Sequence, residues 1–262
     1  MKLLLINSSA RVGGNTARTI DLFEESFASL AKERGICIET ERVNLSRLAL
    51  KTCLGCRVCF DNSEQLCPLK DGLLDLRDKL LAADGYVIAS PVYVEDVNGV
   101  MKNWIDRMAF TSHRPAFYGK SALLFTSSAV GSTSHALTTM RTAFGTWAIK
   151  VTGGLKFRLG ALAAPEEIRG RYLAKIRGEA TRFLRALQQR PFRPSFYSLI
   201  AFTVQQAYWR KNTAYLDTYD YAFWEKAGWL DRGSRYYDPA MAHSPKALAA
   251  RMLGKVVSLF FR

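Results

Sequence analysis

The chain has 262 residues, of which 48% are hydrophobic and 23% are charged, a composition typical of a soluble globular protein. Only four apolar residues lie between Lys2 and Asn7, too few for the core of a signal peptide, and the uncharged stretch 194–209 is too short to span a membrane. We therefore expect a cytoplasmic protein whose five cysteines are reduced, metal-bound or redox-active rather than paired in structural disulfides.

Positive charge is concentrated in the second half of the chain. The formal net charge is +14; residues 1–140 carry 16 basic and 15 acidic side chains, whereas residues 141–262 carry 21 basic and 8 acidic ones. This asymmetry indicates either an anionic partner, such as an acidic protein or an anionic membrane surface, or a solvated surface that binds nothing. Because no nucleic-acid-binding motif accompanies the charge, we do not expect nucleic acid as a partner.

The first predicted unit is a strand, a polar loop and a helix. Four aliphatic residues, 3–6, favour a strand buried on both faces of a parallel sheet, and Asn15 or Thr16 is predicted to cap the following helix, whose body runs to about Arg34. The loop between them is rich in hydroxyl groups and glycine, so its donors and the helix N-terminus favour an anion. It lacks the lysine of a P-loop and the dinucleotide G-x-G-x-x-G pattern, and it suits the single phosphate of a mononucleotide. The alternative is an ordinary strand-to-helix turn.

Further strands and helices alternate along the chain. Strands are predicted over 36–43, 86–90, 121–127 and 147–151, and helices over 71–83, 98–110, 132–144 and 166–189. Alternation of this kind predicts an α/β fold with a five-stranded, doubly wound parallel sheet. We assign residues 1–189 to this domain, with a cysteine-rich insertion over 44–70, and residues 190–262 to a C-terminal extension.

Three polar loops are expected to meet where the strands end. In a doubly wound sheet, ligands bind beyond the carboxyl ends of the strands, which brings together loops 8–16, 91–98 and 127–134. Together they suit a phosphate, a polyol and a flat ring system. Tyr93 either stacks on that ring or anchors its loop in the core.

Four of the five cysteines, Cys53, Cys56, Cys59 and Cys67, form a C-x2-C-x2-C-x7-C motif. Thiolates with this spacing surround one centre, as a 4Fe–4S cluster requires. Structural zinc sites normally use two separated cysteine pairs, so zinc is the second interpretation, and a metal-free redox dithiol is the third. Cys37 is predicted to be a small buried residue of the second strand.

The extension, residues 190–262, is rich in aromatic and basic residues and is predicted to be mainly helical. Its last segment, 245–262, is predicted to be a basic amphipathic helix. Such a helix lies on an anionic membrane, docks a partner, or packs on its own domain or across a dimer.

Taken together, the loops and the cysteines resemble the NAD(P)H-dependent FMN reductase and iron–sulfur flavoprotein family, which has a flavodoxin-like fold. The likeness covers residues 1 to about 188. It is carried by the stretch 9–16, similar to a family loop of the type Ser-Pro-Arg-x-x-Gly-Asn-Thr, by 90–93, and by the cysteine motif followed by Lys70 and Asp71. Ala10 stands where proline is usual, and the extension has no counterpart in the minimal family members.

The resemblance implies bound FMN, a 4Fe–4S cluster on the four cysteines and NAD(P)H as electron donor. It also implies a homodimer or a dimer of dimers. The FMN-binding residues that it implies are Ser9, Arg11, Asn15, Thr16, Pro91, Val92, Tyr93, Ser127 and Gly131.

We therefore expect an FMN-dependent oxidoreductase that moves electrons to a small-molecule or protein acceptor. Its chemistry belongs to the flavin, and no side chain is predicted to act as an acid–base catalyst. The alternatives are a non-enzymatic electron carrier and a zinc-stabilised flavin-binding regulator. Either would dock an anionic partner through the basic C-terminal half.

Overall fold

The computed structural model describes residues 1–242 and 245–260. The strands are β1 (Lys2–Asn7), β2 (Glu39–Asn44), β3 (Gly85–Tyr93), β4 (Asp96–Val97), β5 (Ser121–Ser128) and β6 (Lys150–Arg158). The helices are α1 (Asn15–Glu33), α2 (Val58–Asp61), α3 (Leu73–Ala82), α4 (Gly99–Arg107), α5 (Phe110–His113), α6 (Ser134–Thr146), α7 (Pro165–Gln188), α8 (Phe196–Lys211), α9 (Tyr219–Lys226) and α10 (Pro245–Ser258).

The sheet has the strand order β2-β1-β3-β5-β6, and all of these neighbours are parallel. This is the order of the flavodoxin-like fold, and it confirms the predicted α/β class and the doubly wound sheet. A sixth strand was not predicted: β4 pairs antiparallel with the end of β3, through Val92 with Val97 and Tyr93 with Asp96. This short hairpin extends the sheet beside the carboxyl ends of the parallel strands.

Helices cover both faces of the sheet, which explains the uninterrupted apolar strands. In β1, Leu4 and Ile6 pack into the core formed with α3, α4 and α6, whereas Leu3 and Leu5 pack into the core formed with α1 and α7. Because successive side chains of a strand point to opposite faces, a strand covered on both sides is apolar at every position.

Two predictions about the strands are wrong. The last strand was placed over 147–151, but β6 begins at Lys150 and continues to Arg158. Gly153 and Gly154 lie inside it at points of close approach: a Cβ at Gly153 would lie 2.4 Å from Glu179 Oε2, and one at Gly154 would lie 2.8 Å from Leu137 Cδ2. Cys37 is not buried in β2; it is exposed and precedes the strand.

The residues after α7 form a third hydrophobic core of their own. It contains Phe202, Trp209, Trp224, Trp229, Tyr236 and Tyr237, together with Ala148, which lies two residues after α6. Hydrogen bonds join it to the sheet domain: Gln205 Nε2 donates to Ser112 O at 2.6 Å, and Trp224 Nε1 donates to His113 O at 2.7 Å. Within the described residues, no helix is long and apolar enough to cross a membrane.

Candidate flavin and cysteine sites

The loop after β1 folds back on itself through short polar contacts. Ser9 N donates to Asn7 Oδ1 at 2.8 Å, and Arg11 N donates to Ser9 Oγ at 3.2 Å. The Asn44 side chain, at the end of the neighbouring strand β2, donates to Ser9 O at 3.2 Å. These bonds hold the Ser9 side chain in a buried position and leave the Arg11 side chain exposed at the rim.

The N-terminus of α1 opens into the cleft that this loop borders. Asn15 and Thr16 lie inside the helix, so the predicted cap is wrong; the N-cap residue is Gly14, which carries no side chain to accept from the first N–H groups. A Cβ at Gly14 would lie 3.0 Å from Arg11 Cβ, so the close turn favours glycine. The N–H groups of a helix start and the helix dipole attract an anion, and Arg11 adds a positive charge beside them.

Asn98, the N-cap of α4, joins the loop after β3 to the loop after β1. Ser8 Oγ donates to Asn98 Oδ1 at 2.8 Å, and Asn98 Nδ2 donates to Ser8 O at 2.8 Å. Asn98 Oδ1 also accepts from Met101 N at 3.2 Å, which caps the helix. Asn98 N also donates to Ser90 Oγ of β3 at 3.4 Å, so this one buried residue joins the end of β1 to β3 and to the start of α4.

The loops after β5 and β6 complete the cleft. Thr16 Oγ1 and Ser127 Oγ are 2.7 Å apart, which joins α1 to the end of β5. Asn15 Nδ2 donates to Gly160 O at 2.8 Å, and Asn15 Oδ1 accepts from Ala163 N at 2.9 Å. Gly160 and Ala161, in the loop after β6, line the cleft and were missed by the sequence analysis, because it ended β6 too early.

Eight of the nine predicted FMN-binding residues line this one cleft. They are Ser9, Arg11, Asn15, Thr16, Pro91, Val92, Tyr93 and Ser127. The ninth, Gly131, lies outside the lining: its Cα faces Glu95, whose Oε1 would be 2.5 Å from an added Cβ, and the same carboxylate accepts from Ser132 N at 3.0 Å. Tyr93 is 49% exposed, so it does not anchor its loop in the core.

The hairpin between β3 and β4 forms one wall of the cleft mouth. Val94 and Glu95, its two central residues, have positive φ angles of 49° and 66°. Positive φ at both central positions is the geometry of a type I′ turn, which a β-branched residue rarely adopts. The Val94 side chain is 98% exposed, so the turn presents an apolar group to solvent beside Tyr93.

The cleft fits FMN. It offers a phosphate the N–H groups at the start of α1, the hydroxyls of Ser9 and Thr16, and the Arg11 guanidinium. It offers a ring system the exposed face of Tyr93 beside Pro91 and Val92. In the order of strands, the cleft lies at the carboxyl ends of β1, β3 and β5, where open α/β sheets bind their ligands.

The four cysteines of the C-x2-C-x2-C-x7-C motif line a second cavity, separate from the flavin cleft. The cavity has apolar walls, formed among others by Leu54, Phe60 and Phe110, and the Arg107 side chain reaches its edge. Gly55 and Arg57, between the cysteines, have φ angles of 65° and 64°, so the backbone turns sharply at both positions. This turning brings residues 53 to 59 around one space.

A buried ion pair lies beside the cysteine-rich insertion, residues 44–70, which we call the cysteine segment. The side chains of Arg107 and Asp71 are 2% and 6% exposed, and Arg107 Nη1 lies 2.6 Å from Asp71 Oδ2. Asp71 also accepts from Lys51 N at 2.9 Å, and Arg107 donates to Lys51 O at 2.7 Å. Burial alone would raise the pKa of Asp71, but the hydrogen bonds from Arg107 and Lys51 N outweigh it and hold that pKa below its ordinary value.

A second buried charge network holds the other side of the cysteine segment. Arg114 donates to Cys59 O at 2.9 Å and to Glu64 Oε2 at 2.8 Å, and it forms an ion pair with Asp220 of α9. His113 Nδ1 lies 2.6 Å from Asp220 Oδ2. Burial, with the Arg114 and Arg57 charges nearby, lowers the pKa of His113 to about 4, and the Nδ1–H of the neutral ring donates a hydrogen bond to Asp220 Oδ2.

The donor set of the cavity fits a metal centre that thiolates bind. Burial raises the pKa of the Cys59 thiol to about 11, an effect that the Arg114 charge opposes. Thiols release their protons when they bind a metal, and Arg107 and Arg114 supply positive charge near the resulting thiolates. Across the described ranges, 1–242 and 245–260, no three side chains of Cys, His, Asp or Glu are grouped closely enough to hold a metal ion. The thiols therefore share a cavity without already forming a coordination sphere.

Helix α4 connects the two sites. Its N-cap, Asn98, bonds to the Ser8 loop at the flavin cleft, and its last residue, Arg107, lies at the cysteine cavity. The helix has nine residues and is therefore about 13 Å long. Its middle is bound to the cysteine segment as well, because Asn103 Nδ2 donates to Leu50 O at 3.1 Å.

The fold and the cleft define a flavodoxin-like flavoprotein, and comparison with known proteins identifies its family. The NADPH-dependent FMN reductase family matches residues 1–208, and the chain belongs to this family. The match places the protein among the FMN-dependent oxidoreductases.

Curated relatives are similar to the chain over different lengths. An iron-sulfur flavoprotein of Archaeoglobus fulgidus is 28% identical over 234 residues, which are 88% of this chain and 100% of the relative. The iron-sulfur flavoprotein MJ1083 of Methanocaldococcus jannaschii is 36% identical over 107 residues, 41% of this chain and 51% of the relative.

Solved structures share the fold at low sequence identity. An oxidoreductase from Corynebacterium diphtheriae superposes with a TM-score of 0.54 at 19% identity, covering 70% of this chain and 93% of that one. The apo form of the NADH:FMN oxidoreductase EmoB superposes with a TM-score of 0.52 at 15% identity, covering 72% and 91%. These neighbours support the flavodoxin-like architecture of the sheet domain.

Proposed function

We propose that this FMN-dependent oxidoreductase takes electrons from NAD(P)H and delivers them to a one-electron acceptor through a 4Fe–4S cluster. FMN would occupy the cleft between Ser9 and Ser127, and Cys53, Cys56, Cys59 and Cys67 would ligate the cluster. The observation that carries the proposal is the pair of sites at the two ends of α4, one suited to a mononucleotide phosphate and one lined by four thiols.

FMN supplies two-electron and one-electron chemistry when it is bound, and the protein supplies position and electrostatics. Arg11 and the start of α1 would hold the phosphate, and Tyr93 and Val92 would flank the ring system. The pair Arg107–Asp71 and the contact of Arg114 with Cys59 O hold the cysteine segment against α4 and α5.

The relatives support the cluster in their names, since the two curated relatives described above are iron-sulfur flavoproteins. The spacing of the cysteines supports it independently, because the run of three equally spaced thiols suits a cluster better than a zinc site. The name of the matched family supports NADPH as the donor. A homodimer or tetramer would shield the exposed edge of the cysteine cavity, where Cys53 and Cys56 are open to solvent.

The donor is tested by anaerobic titration of the FMN-loaded protein with NADPH and, separately, with NADH, following the flavin absorbance. We expect loss of the oxidised flavin bands with at least one of the two nucleotides. Reduction by dithionite but by neither nucleotide would contradict a nicotinamide donor and indicate a reduced protein carrier instead.

The path to the acceptor is tested with the double variant Cys53→Ser/Cys56→Ser. We expect its flavin to be reduced by the nucleotide as in the unmodified protein, while transfer to ferric cytochrome c, an obligate one-electron acceptor, becomes several-fold slower. Equal rates of cytochrome reduction in both proteins would contradict a role for the cysteines in electron delivery.

A further inference from the structure

Helix α10 buries one face and exposes an apolar row on the opposite face. Its small residues Ala250 and Gly254 face inwards, and a Cβ added at Gly254 would lie 2.7 Å from Thr203 Cβ of α8. The outer residues are large and exposed: Leu248 64%, Met252 65%, Leu253 44%, Val256 54%, Leu259 69% and Phe260 83%. We call this set the α10 row.

The α10 row is continuous along the helix. Positions 248, 252, 256 and 259 recur every three or four residues, so their side chains follow one another on a single face. Single exposed leucines are common on soluble proteins, but a contiguous exposed apolar surface marks an interaction site. The helix has 14 residues and is about 21 Å long, so it is too short to cross a bilayer and suits a position parallel to a surface.

Basic side chains border the α10 row on both sides. Residues 245–260 contain three cations, Lys246, Arg251 and Lys255, and no acidic residue. At 100° per residue, Lys246 lies on one border of the row, and Arg251 and Lys255 lie on the other. Long basic side chains in this position place their alkyl stems along an apolar surface and their charges beside it.

The positive surface continues beyond the start of α10. Burial lowers the pKa of Lys150, at the start of β6, and the nearby charges of Arg193 and Lys246 lower it further. These three cations therefore lie near one another although they come from separate parts of the chain. They add to the charge asymmetry of the sequence, in which residues 141–262 hold 21 basic and 8 acidic side chains.

We propose that the α10 row binds the surface of a membrane containing anionic phospholipids, with the row among the acyl chains and the bordering cations at the headgroups. An amphipathic helix with lysine and arginine beside its apolar face binds in this way. A second copy of the chain fits less well, because pairing two rows would bring the cations of both helices together. The remaining candidate partner is an acidic protein with an apolar groove, and the test below distinguishes it from a membrane.

The test is co-sedimentation with vesicles of phosphatidylcholine alone and of equal parts phosphatidylcholine and phosphatidylglycerol. We expect the FMN-loaded protein to sediment with the anionic vesicles, with at least a five-fold smaller bound fraction on the neutral ones. Raising the salt from 0.1 M to 1 M shortens the Debye length from about 10 Å to about 3 Å, and it should lower the bound fraction several-fold.

Matched leucine variants distinguish binding through the α10 row from nonspecific hydrophobic binding. Leu248→Gln and Leu259→Gln should each reduce vesicle binding several-fold, whereas Leu81→Gln, at a leucine of α3 that is 40% exposed, should leave it unchanged. All three should keep the flavin absorbance of the unmodified protein. Equal binding to both vesicle types would overturn the proposal. So would α10 variants that change only the oligomeric state in gel filtration, or a protein that binds polyglutamate but no vesicle.

Discussion

Arg114 and Asp220 form an ion pair in which both side chains are almost fully buried, 3% and 2% exposed. The two residues are more than a hundred positions apart in the chain, one after α5 and one on α9. Since Arg114 also donates to Cys59 O, the pair ties the C-terminal region to the cysteine segment. The extension is therefore part of the support of the cysteine site.

Replacing Asp220 by asparagine is predicted to destabilise the protein. The change leaves the Arg114 charge buried with Glu64 as its remaining carboxylate, and loss of one partner of a buried pair costs about 3–5 kcal/mol. Urea unfolding measures the loss. The control is Asp217→Asn, at an exposed aspartate three residues earlier. A free energy of unfolding within about 0.5 kcal/mol of the unmodified protein would show that the pair is not structural.

Stability is predicted to fall between pH 6.5 and pH 4 because of His113. Its pKa is about 4 in the folded protein and about 6.5 when unfolded, so in this range the unfolded chain binds the extra proton. The contribution of His113 is therefore fully present above pH 6.5 and is lost as the pH falls towards 4. His113→Asn, measured by urea unfolding at pH 7 and pH 5, should make the pH dependence shallower. His135→Asn, on the exposed side of α6, should not; identical slopes for both variants would contradict the prediction.

The cysteine segment is predicted to depend on Asp71. Asp71→Asn removes the carboxylate that pairs with Arg107 and accepts from Lys51 N, at a cost of about 3–5 kcal/mol. After anaerobic reconstitution, the variant should bind less iron than the unmodified protein while its FMN content stays the same, because the flavin cleft has separate walls. Asp75→Asn, at an exposed position of α3, is the matched control. Full iron content in Asp71→Asn would indicate that the pair does not position the cysteines.

Arg11 is predicted to contribute to FMN affinity. A hydrogen bond to a charged group is worth about 1.5–3 kcal/mol, so Arg11→Ala should raise the dissociation constant of FMN about 10- to 100-fold. Titration of the apoprotein followed by flavin fluorescence measures it. Arg34→Ala, an exposed arginine at the other end of α1, should bind FMN as before. An unchanged dissociation constant in Arg11→Ala would place the phosphate elsewhere.

The sheet domain was predictable because its signals are local. The apolar strands, the polar loop before α1 and the long helix α7 each follow from their own residues, and together they define the parallel order. The failure at β6 has a tertiary cause: Gly153 and Gly154 weaken the local strand pattern, and they lie where Glu179 of α7 and Leu137 of α6 approach the strand closely, which no local pattern reveals. Cys37 is exposed because β2 begins two residues later, at Glu39.

The cleft was predicted from the loops, but its internal supports were not. Asn98 and Asn15 act through contacts with Ser8 and Gly160, which lie on other loops, and the sequence does not reveal these pairings. The network of Arg114, Asp220 and His113 was missed for the same reason, since it depends on how the extension packs. Motif spacing predicts which side chains hold a cofactor, whereas tertiary packing decides which residues hold those side chains in place.

The measurement that tests the account most directly is cofactor analysis of protein purified without oxygen. Absorption spectra with iron, sulfide and zinc determinations should show FMN together with about four irons and four sulfides per chain, and Cys53→Ala should lose the iron while keeping the flavin. Flavin without iron, or zinc in its place, would contradict the cluster. Protein that takes up no flavin after reconstitution would contradict the assignment of the cleft itself.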